Sequence, residues 1–261
     1  MDKEIYKQII KKKEFSRLPE KDVEKAFENF NKPEFLDEEK IKLTRDLLRK
    51  IYFAFGSLKI LCPRIIEKKS PEEILKKHIS TKERFENYEG VYRRILDKFI
   101  GKNFTVIDLG AGINGLSYDW LSKFGKINYL GVEAVGQLVD LMNLFFEKHE
   151  IMGRTVHLSL FELEKLKVLI KDSKGKKVVF LFKILDSLEM LERNYFKKLL
   201  VGVGPLVDQI VVSFATKSLI RRTTFKAKRK WVLDLIKENF DILDDFEMGG
   251  ERYVSFCNRK R

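Results

Sequence analysis

In the stretch VIDLGAGING, residues 106–115, an acid and a set of glycines are spaced to hold a ligand. Asp108 stands two positions before Gly110, and Gly112 follows. Glycines in a strand-to-helix turn let the backbone approach a ligand, and the helix start beyond them offers free N–H groups. With Gly115 the pattern reads G-x-G-x-x-G, the phosphate-binding turn of dinucleotide folds. Asp108 argues against that ligand, because a carboxylate facing a pyrophosphate in a low-dielectric pocket is costly. S-adenosylmethionine instead brings an ammonium and a sulfonium to this point, where a carboxylate is favourable. The D-x-G-x-G reading therefore favours a methyl donor over a nicotinamide nucleotide, and Gly115 completes the longer pattern by coincidence. Glu133, at the end of the next apolar run, is placed to accept ribose hydroxyls, which suits either cofactor. Asn114 in the loop, with Phe161 and Glu162 after the third apolar run, completes the expected cofactor contacts.

Methyl transfer from a sulfonium is an in-line displacement, so positioning supplies much of its acceleration. The D/N-P-P-Y loop of amino-group methylation is absent after the fourth run, which ends Phe182-Lys183-Ile184-Leu185-Asp186. Neither Cys62 nor Cys257 maps to a loop where carbon-5 methylation needs a thiolate. What remains are acceptors that need no base, and guanine N7 carries a lone pair and no proton. A ribose 2′-hydroxyl competes, because Asp186 and Lys217 could belong to a Lys-Asp-Lys-Glu proton-transfer set. Lys183 and Lys217 are the positioning candidates, with Lys183 facing substrate rather than a cationic cofactor. The segment KSLIRRTTFKAKRKW adds Arg221, Arg222, Lys226, Lys228, Arg229 and Lys230, with no acid between Asp208 and Asp234. Such a cluster neutralises phosphates. Phe225 and Trp231 could stack on a base, although core packing is the expected job of Trp231.

The elements that must position these residues fall into two textures. Residues 1–100 read as helix throughout, with Pro19 in a first turn, Ser70-Pro71-Glu72-Glu73 as a helix start, and one last helix over 81–99. From 104 onward five β-rich runs, FTVIDL, INYLGVE, TVHLSL, KVVFLFK and QIVVSFA, alternate with helical patterns. One of those patterns, DSLEMLERNYFKKLL, reads as a single helix. The alternation predicts a parallel sheet wrapped by helices. FDILDDFEM and RYVSFC flank Gly249-Gly250 as a terminal hairpin. The expected fold is α/β: a class I, Rossmann-like, seven-stranded methyltransferase domain over 101–261, preceded by an all-helical subdomain over 1–100.

A net charge of +13 favours a polyanionic partner. Two distant cysteines and three scattered histidines give neither a disulfide framework nor metal-ligand spacing. No run suits a signal peptide or a bilayer span. We expect a cytoplasmic monomer with RNA as partner, no metal and no membrane.

Three segments resemble the aminoglycoside-resistance methyltransferases that modify guanine N7 of 16S ribosomal RNA. His78-Ile79-Ser80-Thr81-Lys82-Glu83-Arg84 resembles their H-x-S-T-x-E-R signature, and residues 106–114 resemble their motif I. VVFLFKILDSLE and VVSFATKSL resemble their fourth-strand lysine motif and their S-F-P-x-K-S-L motif. The resemblance runs over most of the chain. It implies S-adenosyl-L-methionine as cofactor, the small ribosomal subunit as partner, and a helical N-terminal subdomain that helps dock on RNA. It also implies that Arg84 pairs with the methionine carboxylate of the cofactor, a match of guanidinium fork to carboxylate. Asp186, Ala215 and Ile220-Arg221-Arg222 depart from the family pattern on the substrate side. Another RNA, a 2′-hydroxyl acceptor, or a non-catalytic assembly factor with this fold stays open at this point.

Overall fold

The computed structural model describes residues 1–53, 61–62, 64–216 and 229–259. Before the sheet come α1 (Lys3–Ile10), α2 (Glu20–Glu28) and α3 (Asp37–Leu48), which runs into a π-helical turn at Arg49–Phe53. Then follow α4 (Ile65–Lys68), α5 (Pro71–Leu75), α6 (Ile79–Phe85) and α7 (Tyr88–Leu96). Ser70 caps α5 in a capping box with Glu73, and Pro71 occupies the first turn. The single helix expected over 81–99 is instead two helices and a 3₁₀ turn at Asp97–Phe99, interrupted where Asn87 leaves helical geometry (φ −115°, ψ 0°). Hydrophobic periodicity continues through such a break, because both halves bury the same side.

The sheet begins with β1 (Lys102–Leu109), followed by a 3₁₀ turn at Asn114–Ser117, α8 (Tyr118–Ser122) and β2 (Gly125–Glu133). Next come α9 (Gly136–Lys148), β3 (Gly153–His157), α10 (Leu163–Asp172) and β4 (Lys176–Phe182). Then α11 (Leu185–Leu191) and α12 (Tyr195–Val203) lead to β5 (Gln209–Ala215), and α13 (Lys230–Asn239) to the hairpin β6 (Phe240–Met248) and β7 (Glu251–Asn258). The third run is shorter than expected, ending at His157. The helix expected over 186–200 is instead split in two: α11 ends where Glu192 turns extended (φ −146°, ψ 117°), and Asn194, with a left-handed φ of 64°, occupies the cap position at the start of α12. The strand order is β3-β2-β1-β4-β5-β7-β6, with β7 antiparallel to β5 and the others before it parallel. Gly249 and Gly250 both take positive φ at the hairpin turn, as a two-residue connection of this hand requires.

Alternation along the central strands builds two cores, one on each face. Phe104, Val106, Val178 and Phe180 pack with α1–α9, whereas Ile107, Leu109, Val179 and Leu181 pack with α10–α13. The first helices fasten onto the helices that follow β2 and β4. Gly136 N–H donates to the Arg17 carbonyl at 3.2 Å, Gln137 Nε2 to the Lys13 carbonyl at 3.0 Å, and Asn29 Nδ2 to the Leu191 carbonyl at 3.4 Å. Lys25 pairs with Glu192 at 3.3 Å. This docking closes one side of a cavity above the ends of β1, β2 and β4. Among the described residues no helix is long and apolar enough to cross a membrane, and no group of His, Cys, Asp or Glu is arranged to hold a metal.

Candidate active site

Parallel strands with a glycine turn open a crevice at their carboxyl ends, and the cavity lies there. Asp108, Gly110, Gly112, Asn114, Glu133, Lys183 and Arg84 all line it. Gly110 and Gly112 have φ of 73° and 51°, so both need the left-handed freedom of glycine. A side chain at Gly110 would meet Ile184 Cγ2 at 2.6 Å, while nothing lies within 4 Å of a Cβ built at Gly112. Gly112 is therefore where a ligand can come against the backbone. Gly115 does not line the cavity and serves packing instead. A Cβ there would meet Met142 Cε at 2.7 Å and Phe146 Cζ at 2.8 Å, so this glycine lets α9 pack against the turn.

Glu133 is 6% exposed and accepts from Gly112 N–H and Val135 N–H, each at 2.8 Å. Burial pushes its carboxyl above the usual range, the two N–H bonds oppose that, and the charge of Asp22 adds to it. The bonds fix the carboxylate while leaving lone pairs for a ligand's hydroxyls. Asp108 is more enclosed. Its Oδ2 accepts from Tyr129 Oη and Asn114 Nδ2, both at 2.7 Å. Burial raises its carboxyl to about 6, with those two bonds and the Arg84 charge pulling the other way.

Arg84, expected to pair with the methionine carboxylate, is buried in the cavity wall and already engaged. Its Nε donates to Tyr253 Oη at 3.2 Å, Nη1 to Asn114 Oδ1 at 3.0 Å, and Nη2 to Glu251 Oε1 at 2.9 Å. Those bonds leave part of its five-donor fork for a ligand. The guanidinium also lies 4.5 Å from the Phe182 ring centroid. Burial alone would raise the Glu251 carboxyl, but Arg84 and Lys183 hold it below the ordinary range. Lys183 has a left-handed φ of 58°, an uncommon conformation for a side-chain-bearing residue. Its Nζ pairs with Glu83 and lies 3.2 Å from Glu251 Oε2. His78 is kept neutral, its basicity lowered to about 4 by burial and by Arg84 and Lys183. Its Nδ1 meets Ser80 Oγ at 3.0 Å.

The other described candidates do not line the cavity. Phe161 and Glu162 follow the cavity-lining Leu160 without lining it themselves. Phe161 packs on Tyr195 at 4.3 Å, and Glu162 precedes α10 and pairs with Lys165 at 2.5 Å. Asp186 is at the rim, paired with Arg229 at 2.7 Å. Trp231 is 41% exposed rather than in the core, beside Lys230 at the start of α13. Lys217, Arg221, Arg222, Phe225, Lys226 and Lys228 lie outside the described residues. The sequence reading missed Asp22, Tyr52, Glu83 and Glu251. Glu251 follows the hairpin glycines and pairs in register with Ala215, at the end of β5, so the strand pattern could have exposed it. Asp22 sits among other acids on an amphipathic helix and carries no such signal.

The sheet order, the glycine turn at the end of β1 and the anchored acid at the end of β2 define a class I methyltransferase. The sequence profile of the ribosomal RNA methyltransferase (FmrO) family matches residues 47–237. The chain belongs to that family, and it is an S-adenosyl-L-methionine-dependent RNA methyltransferase. Among solved structures it is similar to the 16S rRNA methyltransferase RmtF in complex with S-adenosyl-L-homocysteine. That match has 20% identity, covers 99% of this chain and 100% of that one, and has a TM-score of 0.78. The 16S rRNA methylase RmtB matches at 17% identity over 98% of both chains, TM-score 0.74. The 16S rRNA methylase ArmA matches at 22% identity over 79% of this chain and 100% of its own, TM-score 0.60. No curated protein sequence matches the chain.

Proposed function

We propose that this enzyme methylates N7 of a guanine in 16S ribosomal RNA of the small subunit. The observation that carries the acceptor atom is the pairing of Lys183. Its ammonium is held between Glu83 and Glu251, and Asp186 is turned to Arg229 at the rim. A 2′-hydroxyl acceptor needs a base to take its proton, whereas guanine N7 needs none. This edge of the cavity is arranged to position rather than to deprotonate.

S-adenosyl-L-methionine supplies an electrophilic methyl group, and the residues present fit it. Glu133 offers anchored acceptors for the ribose hydroxyls, and the open face of Gly112 admits the ligand against the backbone. Arg84 and Asp108 offer opposite charges for the carboxylate and ammonium of the amino-acid end. Glu251 and Glu83 together balance the charges of Arg84 and Lys183, which limits cationic repulsion of a sulfonium in this low-dielectric site. The similarity to three 16S rRNA methylases supports the small-subunit assignment. Residues 1–100 form the helical RNA-docking subdomain, and the basic residues from Lys217 to Lys230 hold RNA phosphates.

Transfer of labelled methyl to 30S subunits, naked 16S RNA and tRNA, followed by nucleoside analysis, tests the reading. It expects 7-methylguanosine from 30S subunits or 16S RNA. A 2′-O-methylated nucleoside, or label confined to tRNA, would overturn it.

A further inference from the structure

The cavity has a wall that belongs to none of the sheet's loops. Asp22 on α2 and Ile51 and Tyr52 in the π-helical turn line it together with Glu133, Ala134, Leu138 and Leu160. Asp22 is 2% exposed. Tyr52 Oη donates to its Oδ1. Its Oδ2 has no hydrogen-bond partner among the described residues, and of their buried side-chain atoms in that state it is the one that belongs to a residue lining this cavity. Ser159 lies close enough to offset part of the cost of burial, but forms no hydrogen bond with Oδ2. Burial raises the Asp22 carboxyl to about 6, and the neighbouring charge of Glu162 adds to that. A buried acceptor left unmade is costly, and α2 is held over the cavity by the surrounding Asn29 and Lys25 contacts.

We infer that Asp22 Oδ2 accepts a hydrogen bond from the adenosine half of the cofactor, so that cofactor binding fastens the first helices onto the sheet. The inference rests on the cofactor assignment and extends it to a residue outside the methyltransferase strands. Asp22 lies close enough to Glu133, the acid suited to ribose, for its charge to raise that carboxyl, and both line the cavity. The available adenosine donors are the ribose hydroxyls and the exocyclic amine. The amide of Asp22→Asn can still accept from Tyr52, but then turns N–H groups toward a ligand donor.

Calorimetry with S-adenosyl-L-homocysteine tests this in the full chain, alongside thermal melting of ligand-free protein. Asp22→Asn is expected to bind roughly tenfold or more weakly while melting no lower than wild type without ligand. Hydrogen exchange in α2 and in residues 49–53 is expected to slow on ligand binding in wild type and to slow less in the variant. With 2′-deoxy, 3′-deoxy and N6,N6-dimethyl analogues, one must show a smaller Asp22→Asn penalty than the parent ligand. Affinity within twofold of wild type, or an equal penalty with every analogue, overturns the role of Asp22. Failure of the wild type itself to bind S-adenosyl-L-homocysteine would instead defeat the cofactor assignment.

Discussion

Asp108, proposed to face the cofactor's ammonium, is buried at a cost to the fold. It is 1% exposed, and burial raises its carboxyl from 3.8 to about 6. The folded chain therefore holds this proton more tightly than the unfolded chain does. The resulting stabilisation is full below pH 3.8 and is lost as pH rises through about 6. Asp108→Asn removes that titration, and its amide oxygen can accept from both Tyr129 and Asn114. The ligand-free variant is expected to be more stable than wild type at pH 7, by about 3 kcal/mol at most, with the gap closing below pH 4. Its affinity for S-adenosyl-L-methionine is expected to fall about tenfold or more, since a charge facing the ammonium is gone. Melting curves across this pH range and calorimetry at pH 7 check both halves. A variant that melts lower at pH 7 and binds normally would show that Asp108 is structural. The sequence showed this carboxylate because it stands at a fixed offset from the glycines. It did not show Asp22, whose burial depends on α2 meeting Tyr52 and Ser159 from distant segments.

At the scale of elements, Gly115 separates what spacing can reveal from what packing adds. The glycine pattern was legible, but the reason for its third member lies in α9, which brings Met142 and Phe146 against it. Gly115→Ala forces a methyl group into that contact, and overpacking of this kind costs about 1–3 kcal/mol. The melting temperature should fall by roughly 2–4 °C for each kcal/mol lost in a chain of this size. Cofactor affinity should change little, because Gly115 does not line the cavity. An unchanged melting temperature would mean that Met142 yields freely. The strands were legible for a related reason. Runs such as KVVFLFK are apolar on both faces, as a strand covered by helices on each side must be. The helix breaks at Asn87 and at residues 192–194 were not, because the apolar rhythm passes through them and the dihedral angles that stop the helix leave no mark in that rhythm. The Arg84–Glu251–Lys183 cluster was half legible: Arg84 stood in a signature, while Glu251 enters the site through β5–β7 pairing.

For the whole molecule, the question is how a net charge of +13 is directed. The described chain reaches Thr216, whose N–H donates to the Gly250 carbonyl at 3.0 Å, next to Glu251 in the site. It resumes at Arg229, which pairs with Asp186 at the cavity rim and lies 5.1 Å from the Phe214 ring centroid. Both anchors of the most basic segment thus flank the catalytic edge, and Trp231 is exposed immediately beyond it. An RNA phosphate contact contributes about 0.7 to the slope of log affinity against log salt when the strand is single. Replacing Arg221 and Arg222 together by alanine should therefore lower the magnitude of that slope by about 1.4, if each contacts one phosphate. Because phosphate contacts position without reading sequence, the loss should be similar for 16S RNA and for an unrelated RNA. Calorimetric affinity for S-adenosyl-L-methionine should stay as in wild type, which separates RNA docking from damage to the cofactor site. RNA binding measured over a salt series decides the matter. If slope and affinity both survive the double substitution, the charge of this segment serves solvation, and the RNA must be gripped by the basic residues of the N-terminal helices.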